Sequence, residues 1–442
     1  MEEIDRMITS KINAIADQIE GYIIENRRDF HKYPESAWTE FRTASKVARQ
    51  LNDMGYKVLI GKEIMEPSDM MGLPKDEVLD YHYNRAIEQG ADKTFVTKMK
   101  GGFTSVMAEL DLGEGPTVAF RFDMDAVDCD ESQSEVHFPN QEGFRSENEK
   151  VMHACGHDCH TAIGLGFAKS LMSLKDDFTG KIKLIFQAAE EGVRGAKSIA
   201  SKGVVDDVDY FFSMHIGTSA KVSGKLICGV HGFLATEKYD AVFKGISSHA
   251  GNAPNMGKNA ILAACTAVTN LYSISRHKDG ATRINVGRIE GGTGRNVIPN
   301  HAQIDFEVRG STTDVCDYMK ETAENIIKSS ADMHMCEYEI IGMGSAESSF
   351  SDQEMIKRTR KVASELDIFE VIEDKGVMAG SEDCTYLMNR VREHGGLASY
   401  FILGTELKAP HHNDLFDVYE ADMKKGIKLL LGLVYDLMNK RI

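Results

Sequence analysis

Long apolar runs are missing from this 442-residue sequence. No stretch approaches the roughly 20 apolar residues that a membrane-spanning helix needs. The first residues, Met1–Arg6, are acidic and do not form the basic segment with which a secretory signal begins. Only 8 prolines occur, and 42% of the residues are hydrophobic. These features predict a globular chain of about two or three domains in the cytoplasm.

Cysteines and basic residues are also scarce. The 8 cysteines are scattered rather than spaced as a disulfide framework, which predicts a reducing compartment where a thiolate can bind a metal. Lysine and arginine total 51 against 68 aspartates and glutamates, which gives a net charge of −17. Nucleic acids and anionic membranes both need clustered basic residues, so neither is expected as a partner. An anionic substrate would have to be bound by specific local arginines.

The stretch from His153 to His160, His-Ala-Cys-Gly-His-Asp-Cys-His, concentrates metal-ligand side chains. Its histidines, cysteines and aspartate are ligands that Zn²⁺ or Mn²⁺ accept. The alternative is a buried polar loop with hydrogen-bonded histidines and inert thiols. The density of the octet favours a metal site, whose other ligands must come from elsewhere. A helix is predicted to follow, from Thr161 to Leu174.

Further candidate ligands follow short apolar runs, which predict buried strands. The predicted strands are Thr117 to Phe122, Lys181 to Phe186, Val208 to Met214, and Ser399 to Leu403. After them come, in the same order, Asp123 and Asp125, Glu190 and Glu191, His215, and His411 and His412. Strands that alternate with helices predict an α/β fold with a mostly parallel sheet, in which ligands bind beyond the carboxyl ends of the strands. Without a buried strand before it, the Glu-Glu pair would read as an exposed acidic pair.

A segment with a different pattern interrupts this alternation. Between residues 233 and 344, strand-like and helix-like runs follow the order β-α-β-β-α-β, which is typical of a ferredoxin-like domain. We therefore predict a main domain whose first part covers residues 1–232, with an insertion at 61–102. A small α+β domain covers 233–344, and the second part of the main domain covers 345–442.

Several motifs occur together along the chain. They are Met-His-Ala-Cys-Gly-His-Asp-Cys-His, Ala-Ala-Glu-Glu-Gly, Ser-His-Ala-Gly-Asn-Ala-Pro, Gly-Arg-Asn-Val-Ile-Pro and His-His-Asn-Asp-Leu-Phe-Asp. In this combination the sequence resembles the dinuclear metal amidohydrolases and carboxypeptidases, which include hippurate hydrolase and the indole-acetyl amino acid hydrolases. Within that family, Met-Gly-Leu-Pro in the insertion and Gly-Gly-Phe-Thr at its end resemble the branch of the p-aminobenzoyl-glutamate hydrolases.

The resemblance implies a fold, a reaction and partners. The fold would be a zinc-peptidase-like catalytic domain with an inserted ferredoxin-like dimerisation and lid domain. The reaction would be hydrolysis of the amide bond of p-aminobenzoyl-glutamate, a folate catabolite, with the help of two divalent metal ions, Mn or Zn. The chain would form either a homodimer or a hetero-oligomer with a homologous subunit. A broader N-acyl amino acid or peptide hydrolase is an alternative, as is a chain that needs its homologous partner for activity.

Carried over residue by residue, the resemblance implies a set of metal ligands. They are Cys155, His157, Glu191, His215 and His412. Cys155 stands where other branches have a bridging carboxylate, and Asp123 stands where they have a ligand histidine. His412 is preferred over His411 because the family places this ligand four residues before an aromatic residue, here Phe416.

The remaining matches concern catalysis and substrate binding. Glu190 matches the general base, which takes a proton from the attacking water and passes it to the leaving amine. His249 matches a histidine that reaches the partner subunit's active site and stabilises the oxyanion, although a surface histidine at a strand end is the alternative. Asn296, Arg283 and Arg309 match substrate-binding positions, and arginine suits paired hydrogen bonds to the carboxylates of glutamate.

Overall fold

The computed structural model describes residues 2–378 and 380–439, which divide into two compact units. The first unit comprises the described residues up to His231, Phe350–Met378, and those from Asp383 onward. The second comprises Gly232–Ser349 with residues 380–382. Among the residues described, none of the helices combines the length and the hydrophobicity that a bilayer span would need.

The strands of both units are numbered along the chain. They are β1 (Lys57–Ile60), β2 (Val106–Asp111), β3 (Thr117–Asp123), β4 (Lys181–Gln187), β5 (Tyr210–Ile216), β6 (Lys225–Ile227), β7 (Val230–His231), β8 (Ala235–Lys244), β9 (Thr282–Gly291), β10 (His301–Gly310), β11 (Glu337–Ala346), β12 (Val371–Glu373), β13 (Gly376–Val377) and β14 (Leu397–Leu403).

The helices are numbered in the same way. They are α1 (Glu2–Gln18), α2 (Glu20–Lys32), α3 (Phe41–Met54), α4 (Asp76–Glu88), α5 (Lys93–Val96), α6 (Phe138–Gln141), α7 (His157–Leu174), α8 (Ala196–Ser201), α9 (Ala260–Leu271), α10 (Thr313–Met333), α11 (Gln353–Leu366), α12 (Thr385–Glu393) and α13 (Asp422–Met438).

An eight-stranded sheet forms the centre of the first unit, in the order β1-β2-β4-β3-β5-β14-β6-β12. The middle strands β4, β3, β5 and β14 are parallel, whereas β1, β2 and β6 join antiparallel neighbours. All seven residues of β3 are buried, as expected for a strand covered on both faces. The predicted α/β fold with a mostly parallel sheet is confirmed.

Helix α7 lies directly on this sheet because a glycine allows close approach. A Cβ atom at Gly164 would lie 2.7 Å from Phe186 and 2.8 Å from Phe122, closer than real contacts permit. The predicted start of the helix at Thr161 is wrong by about one turn. Gly156 adopts a left-handed conformation (φ 88°), and its carbonyl oxygen accepts hydrogen bonds from the backbone amides of the first turn, so the helix already begins at His157.

The second unit contains a four-stranded antiparallel sheet in the order β11-β8-β10-β9. With α9 and α10 the chain order is β-α-β-β-α-β, so the predicted ferredoxin-like fold is confirmed. Small residues of α9, including Ala260, Ala263 and Ala267, belong to the same buried cluster as Phe243 and Ile304 of the sheet. Small side chains let a helix and a sheet pack at short range.

The insertion at 61–102 connects β1 to β2 and contains α4, α5 and three short 3₁₀ turns. Leu79, Val96 and Met99 bury their side chains, so the segment packs into the core of the first unit. The indole nitrogen of Trp38 donates a hydrogen bond to the carbonyl oxygen of Met71, at 2.8 Å. A role for this segment as a wall of the substrate pocket stays a prediction.

Candidate active site

The candidate site lies where the parallel strands of the first unit end. Strand β3 ends at Asp123, β4 leads into the loop with Glu190 and Glu191, and His215 is the last residue but one of β5. Strand β14 pairs with β5 in parallel and leads into the loop that carries His412. Because β4, β3, β5 and β14 are successive parallel neighbours, their carboxyl ends share one edge of the sheet.

The predicted ligands form overlapping groups at this edge. In each group the ligand atoms lie within 4.8 Å of one another. The groups are Cys155 with His157 and His215, Cys155 with Glu191 and His412, and His157 with Glu190 and Glu191. The structure therefore brings together the five side chains predicted to bind metal and the predicted general base.

Two atoms in these groups are buried without a hydrogen bond. Nε2 of His157 and Oε1 of Glu191 have no hydrogen-bond partner in the described chain. An unsatisfied buried polar atom costs roughly 1–3 kcal/mol, so Nε2 of His157 is available to a further ligand. Oε1 of Glu191 makes an ion-pair contact with Nε2 of His412 at 3.4 Å. Nδ1 of His157 donates to the carbonyl oxygen of Asp125 at 2.9 Å, which leaves Nε2 as the ring nitrogen that can bind a metal. The residues fit a divalent metal site.

His215 is held in the neutral form that binds metals. Burial, together with the neighbouring His160 and His411, lowers the pKa of His215 well below its usual range. Its Nδ1 donates to the carbonyl oxygen of Ile216 at 2.8 Å, and its Nε2 lies 3.4 Å from Sγ of Cys155. A neutral imidazole with Nδ1 protonated presents its Nε2 lone pair as a ligand.

The side chain of Asp123, where the resemblance implies a ligand histidine in other branches, makes contacts within the chain. Nη1 of Arg121 lies 2.7 Å from Oδ2 of Asp123, and Nδ1 of His160 lies 2.5 Å from Oδ1. Nε2 of His160 accepts a hydrogen bond from the backbone amide of Ile216. Asp123, His157 and His160 lie close enough to form a further candidate metal group. The bonds of Asp123 and His160 hold the end of β5 beside His215.

The two adjacent C-terminal histidines have different surroundings. Nε2 of His412 lies 3.4 Å from Oε1 of Glu191, and its backbone adopts a left-handed conformation (φ 64°). Nε2 of His411 faces the carbonyl oxygen of Ile216 at 3.3 Å, and its ring packs against Phe416 at 4.9 Å. The geometry therefore favours His412 as the ligand.

The other predicted catalytic residue, His249, belongs to the second unit, where it lies beside Asn296. His249 forms a β-bridge with Val297, the residue after Asn296. Its Nδ1 accepts hydrogen bonds from the backbone amides of Gly251 and Asn252, at 3.2 and 3.0 Å. A neutral His249 must then carry its proton on Nε2, so the exposed ring presents a hydrogen-bond donor.

The predicted substrate-binding arginines are cross-strand neighbours in the second unit. Arg283 on β9 pairs directly with Arg309 on β10. The guanidinium group of Arg309 binds both carboxylate oxygens of Glu307, at 2.9 and 3.0 Å, and lies 3.4 Å from Oγ of Ser381. Arg283 is exposed and donates to the carbonyl oxygen of Thr282. A substrate carboxylate would compete with Glu307 for Arg309 but not for Arg283.

The sequence reasoning missed Arg27, which connects two segments of the site. This fully buried arginine binds Asp158 at 2.9 Å and Asp417 at 2.7 Å. Asp158 follows His157, and Asp417 lies in the same loop as His412. Arg27 therefore fixes two segments that carry predicted ligands. No local pattern marks it, because its partners are 131 and 390 residues away.

The same buried network predicts a pH dependence of stability. His31 bonds to Asp158 and Glu131, at 2.7 and 3.0 Å. Burial and the charge of Arg27 oppose its protonation, but the two carboxylates prevail and raise the pKa of His31 from 6.5 to about 9. A raised folded-state pKa contributes stability that is fully present below pH 6.5 and is lost as the pH rises through 9. Between these limits we expect about 3 kcal/mol of this contribution to disappear.

Urea unfolding from pH 6 to 9.5 measures this effect. The wild type should lose stability over this range, and His31→Gln should be less stable at pH 6 with a flatter profile. His231→Gln, which changes an exposed histidine of the same unit, is the control and should keep the wild-type slope. Equal slopes for His31→Gln and the wild type would refute the assignment to His31.

Comparison with known proteins places the chain in a family. Residues 119–436 match the model of peptidase family M20/M25/M40. The chain belongs to this family. It is 46% identical to indole-3-acetyl-aspartic acid hydrolase of Enterobacter agglomerans, over 95% of this chain and 96% of that protein. It is 43% identical to one of the subunits of p-aminobenzoyl-glutamate hydrolase of Escherichia coli K12, over 95% of each.

A solved structure gives the same relationship. The aminobenzoyl-glutamate utilization protein from Klebsiella pneumoniae superposes with a TM-score of 0.83 at 38% identity, covering 96% of this chain and 98% of that one. The predicted family, the relationship to p-aminobenzoyl-glutamate hydrolase, and the class of amide-bond hydrolases are thereby confirmed. The roles of individual residues stay predictions.

Proposed function

We propose that this M20/M25/M40 family member is a metal-dependent amidohydrolase that cleaves p-aminobenzoyl-glutamate to p-aminobenzoate and glutamate. The observation that carries the proposal is the grouping of the five candidate ligands with Glu190 at the carboxyl edge of the sheet. Relatives above 40% identity support the substrate class, since their names join an aromatic acyl group to glutamate in one case and to aspartate in the other.

The proposed mechanism divides the work between cations and side chains. Two divalent cations, Mn or Zn, bound by Cys155 and the other four ligands would polarise the scissile carbonyl group and lower the pKa of water. Glu190, whose Oε2 lies 3.9 Å from Nε2 of His157, accepts the proton of the attacking water. As the oxygen adds to the carbonyl carbon and the C–N bond breaks, Glu190 passes this proton to the leaving nitrogen of glutamate.

The remaining proposed roles belong to residues of the second unit. His249, with its proton on Nε2, would donate a hydrogen bond to the oxyanion in a neighbouring copy or homologue. Asn296, Arg283 and Arg309 would bind the glutamate carboxylates, for which the exposed Arg283 is the most accessible charge. We propose that the partner is a second copy of this chain or a homologous subunit. The Escherichia coli relative is itself named as one subunit of its hydrolase, which supports an assembly of this kind.

We also propose a cytoplasmic location. All 8 cysteines have free thiols in the described chain, which suits a reducing compartment. Cys155 in particular must stay reduced to bind a metal as a thiolate.

Kinetics on a substrate panel test the proposed function. With Mn²⁺ or Zn²⁺ supplied, kcat/KM for p-aminobenzoyl-glutamate should exceed that for hippurate about 10- to 100-fold, because hippurate lacks the side-chain carboxylate and loses a charged hydrogen bond of about 1.5–3 kcal/mol. Chelation should abolish turnover, and either ion should restore it. Faster hydrolysis of N-acetyl amino acids with small side chains, by orders of magnitude, would overturn the proposal.

A second candidate substrate is indole-3-acetyl-aspartate, which the 46% identity to the Enterobacter agglomerans hydrolase favours. The two compounds share an acidic amino acid and differ in the acyl group and in the length of the amino acid side chain. Measured at the same enzyme and metal concentrations, the ratio of their kcat/KM values decides between them. Repeating the assay across a range of enzyme concentrations shows whether activity depends on association of this chain with itself.

A further inference from the structure

The loop that carries Glu190 and Glu191 has an unusual backbone. Ala189 and Val193 adopt left-handed conformations, with φ of 55° and 60°. Such a conformation costs a non-glycine residue roughly 1–2 kcal/mol, and it persists only where the surroundings impose it. The conformation of Ala189 matters most, because the next residue is Glu190.

Buried side chains from distant segments hold this loop by its backbone amides. The amide of Ala189 donates to Oε1 of Glu40 at 2.8 Å, and the amide of Glu191 donates to Oδ2 of Asp125 at 2.8 Å. The other three bonds are 2.8 to 3.1 Å long. They run from the amide of Ala188 to Oγ of Ser105, and from the amides of Gly195 and Ala196 to Oδ2 of Asp383. Glu40 is the acceptor for the residue that immediately precedes Glu190.

Glu40 is a buried carboxyl group surrounded by neutral donors. Its side chain is 0% exposed. Oε1 accepts from the amides of Ala189 and Trp38, at 2.8 and 3.1 Å, and Oε2 accepts from Oγ1 of Thr104 at 2.6 Å. Both amides belong to residues with positive φ, since Trp38 has φ 68°. Burial, with a smaller contribution from Asp125, raises the pKa of Glu40 to about 8.

A carboxyl group buried among neutral partners lowers the stability of the fold. Destabilising groups of this kind are found mainly at functional sites. We propose that Glu40 is a positioning residue for Glu190, whose carboxylate it aims by fixing the left-handed turn at Ala189. This inference rests on the proposed role of Glu190 as the general base. A change in φ at Ala189 swings the following residue, and a displacement of about 1 Å at a reacting group can cost about 100-fold in rate.

The same segment provides a matched control. Glu35 is also 0% exposed and lies five residues before Glu40. Its carboxyl oxygens accept from the backbone amides of Arg42 and Thr43, at 2.9 and 2.8 Å, and thus hold the first turn of α3. Both donors lie in α3 rather than in the Glu190 loop, so shortening Glu35 tests stability without the proposed positioning.

The experiment compares Glu40→Asp, Glu40→Gln and Glu35→Asp in the full-length chain with metal supplied. Shortening Glu40 by one methylene group withdraws its oxygen from Ala189, so Glu40→Asp should lower kcat about 10- to 100-fold while KM stays within threefold and metal content is unchanged. Glu40→Gln keeps an acceptor for the Ala189 amide and should keep kcat within threefold. Glu35→Asp should lower the melting temperature but keep kcat. A crystal structure of Glu40→Asp should show Ala189 outside the left-handed region.

Three results would overturn the proposal: wild-type kcat in folded Glu40→Asp, an equal loss in Glu40→Gln, or an equal loss in Glu35→Asp. If Glu40→Asp does not fold, Thr104→Val replaces it, because this substitution removes the hydrogen-bond donor to Oε2 of Glu40. Thr104→Val should lower kcat several-fold at constant KM. A wild-type kcat in Thr104→Val would count against the proposal. Glu190→Gln separates the two claims. Retained turnover in Glu190→Gln rejects the proposed mechanism, whereas an inactive Glu190→Gln beside a fully active Glu40→Asp rejects only the positioning role.

Discussion

Glu190→Gln should lower kcat by about 10²- to 10⁴-fold, which is the range that a general base contributes, while fold and metal content stay unchanged. The amide has nearly the same shape as the carboxylate but cannot accept a proton from water. Glu190 is partly buried at the edge of the ligand group, with Oε2 3.9 Å from His157. Steady-state kinetics on p-aminobenzoyl-glutamate, with metal analysis of the same sample, measure the effect.

The neighbouring Glu191→Gln is the control for this variant. Oε1 of Glu191 is buried without a hydrogen bond, and the residue belongs to two candidate metal groups. Because the resemblance implies that Glu191 is a ligand and Glu190 the base, Glu191→Gln should lower metal content together with activity, whereas Glu190→Gln should lower activity alone. If Glu190→Gln kept the wild-type kcat, Glu190 could not be the base. If it lost metal as Glu191→Gln does, Glu190 would be a ligand instead.

Cys155→Ala should lose bound metal and reduce kcat/KM by more than about 100-fold, because one thiolate joins two candidate ligand groups. Sγ of Cys155 lies 3.4 Å from Nε2 of His215, and the residue also groups with Glu191 and His412. Burial, with Glu191 nearby, raises the pKa of the Cys155 thiol, so metal binding must displace a proton. Cys155→Asp should recover part of both properties, since a carboxylate is also a ligand for Zn²⁺ and Mn²⁺.

Metal content by mass spectrometry and kcat/KM, measured after loading with Zn²⁺ or Mn²⁺, check this prediction. Cys129→Ala is the matched control. Its partly buried thiol lies 4.0 Å from the backbone oxygen of His412 and belongs to none of the candidate metal groups in the described chain. This control should keep both metal and activity. Full metal content in Cys155→Ala would remove Cys155 from the ligand set.

Much of the site could be located from local sequence, for a physical reason. A parallel strand covered on both faces is rich in apolar residues, as Leu397–Leu403 is, so its end is visible in the sequence. The carboxyl ends of parallel strands lie at the same edge of a sheet, so the residues after these strands lie at one edge in any strand order. The start of α7 was predicted less well, because the left-handed Gly156 lets the helix begin with the last four residues of the octet.

The octet alone does not show which of its side chains can reach a metal, and only the family resemblance singled out Cys155 and His157. His160 has both ring nitrogens engaged, by Asp123 and by the amide of Ile216. Asp158 is bound to Arg27. His153 is buried with both nitrogens unpartnered in the described chain, and burial lowers its pKa to about 3. Of the six candidate side chains, the structure places Cys155 and His157 among the predicted ligands.

The sequence by itself determined the family, the order of elements in both units and the places of the candidate ligands after buried strands. Those features are local in the chain or depend on motifs of a few residues. Only the tertiary structure shows which bonds hold the site in place. Arg27 binds Asp158 and Asp417. Asp123 bonds to the ring of His160, and Glu40 accepts a hydrogen bond from the amide of Ala189, the residue before Glu190. These bonds join residues up to 390 positions apart, and such pairs leave no periodic signal in a single sequence.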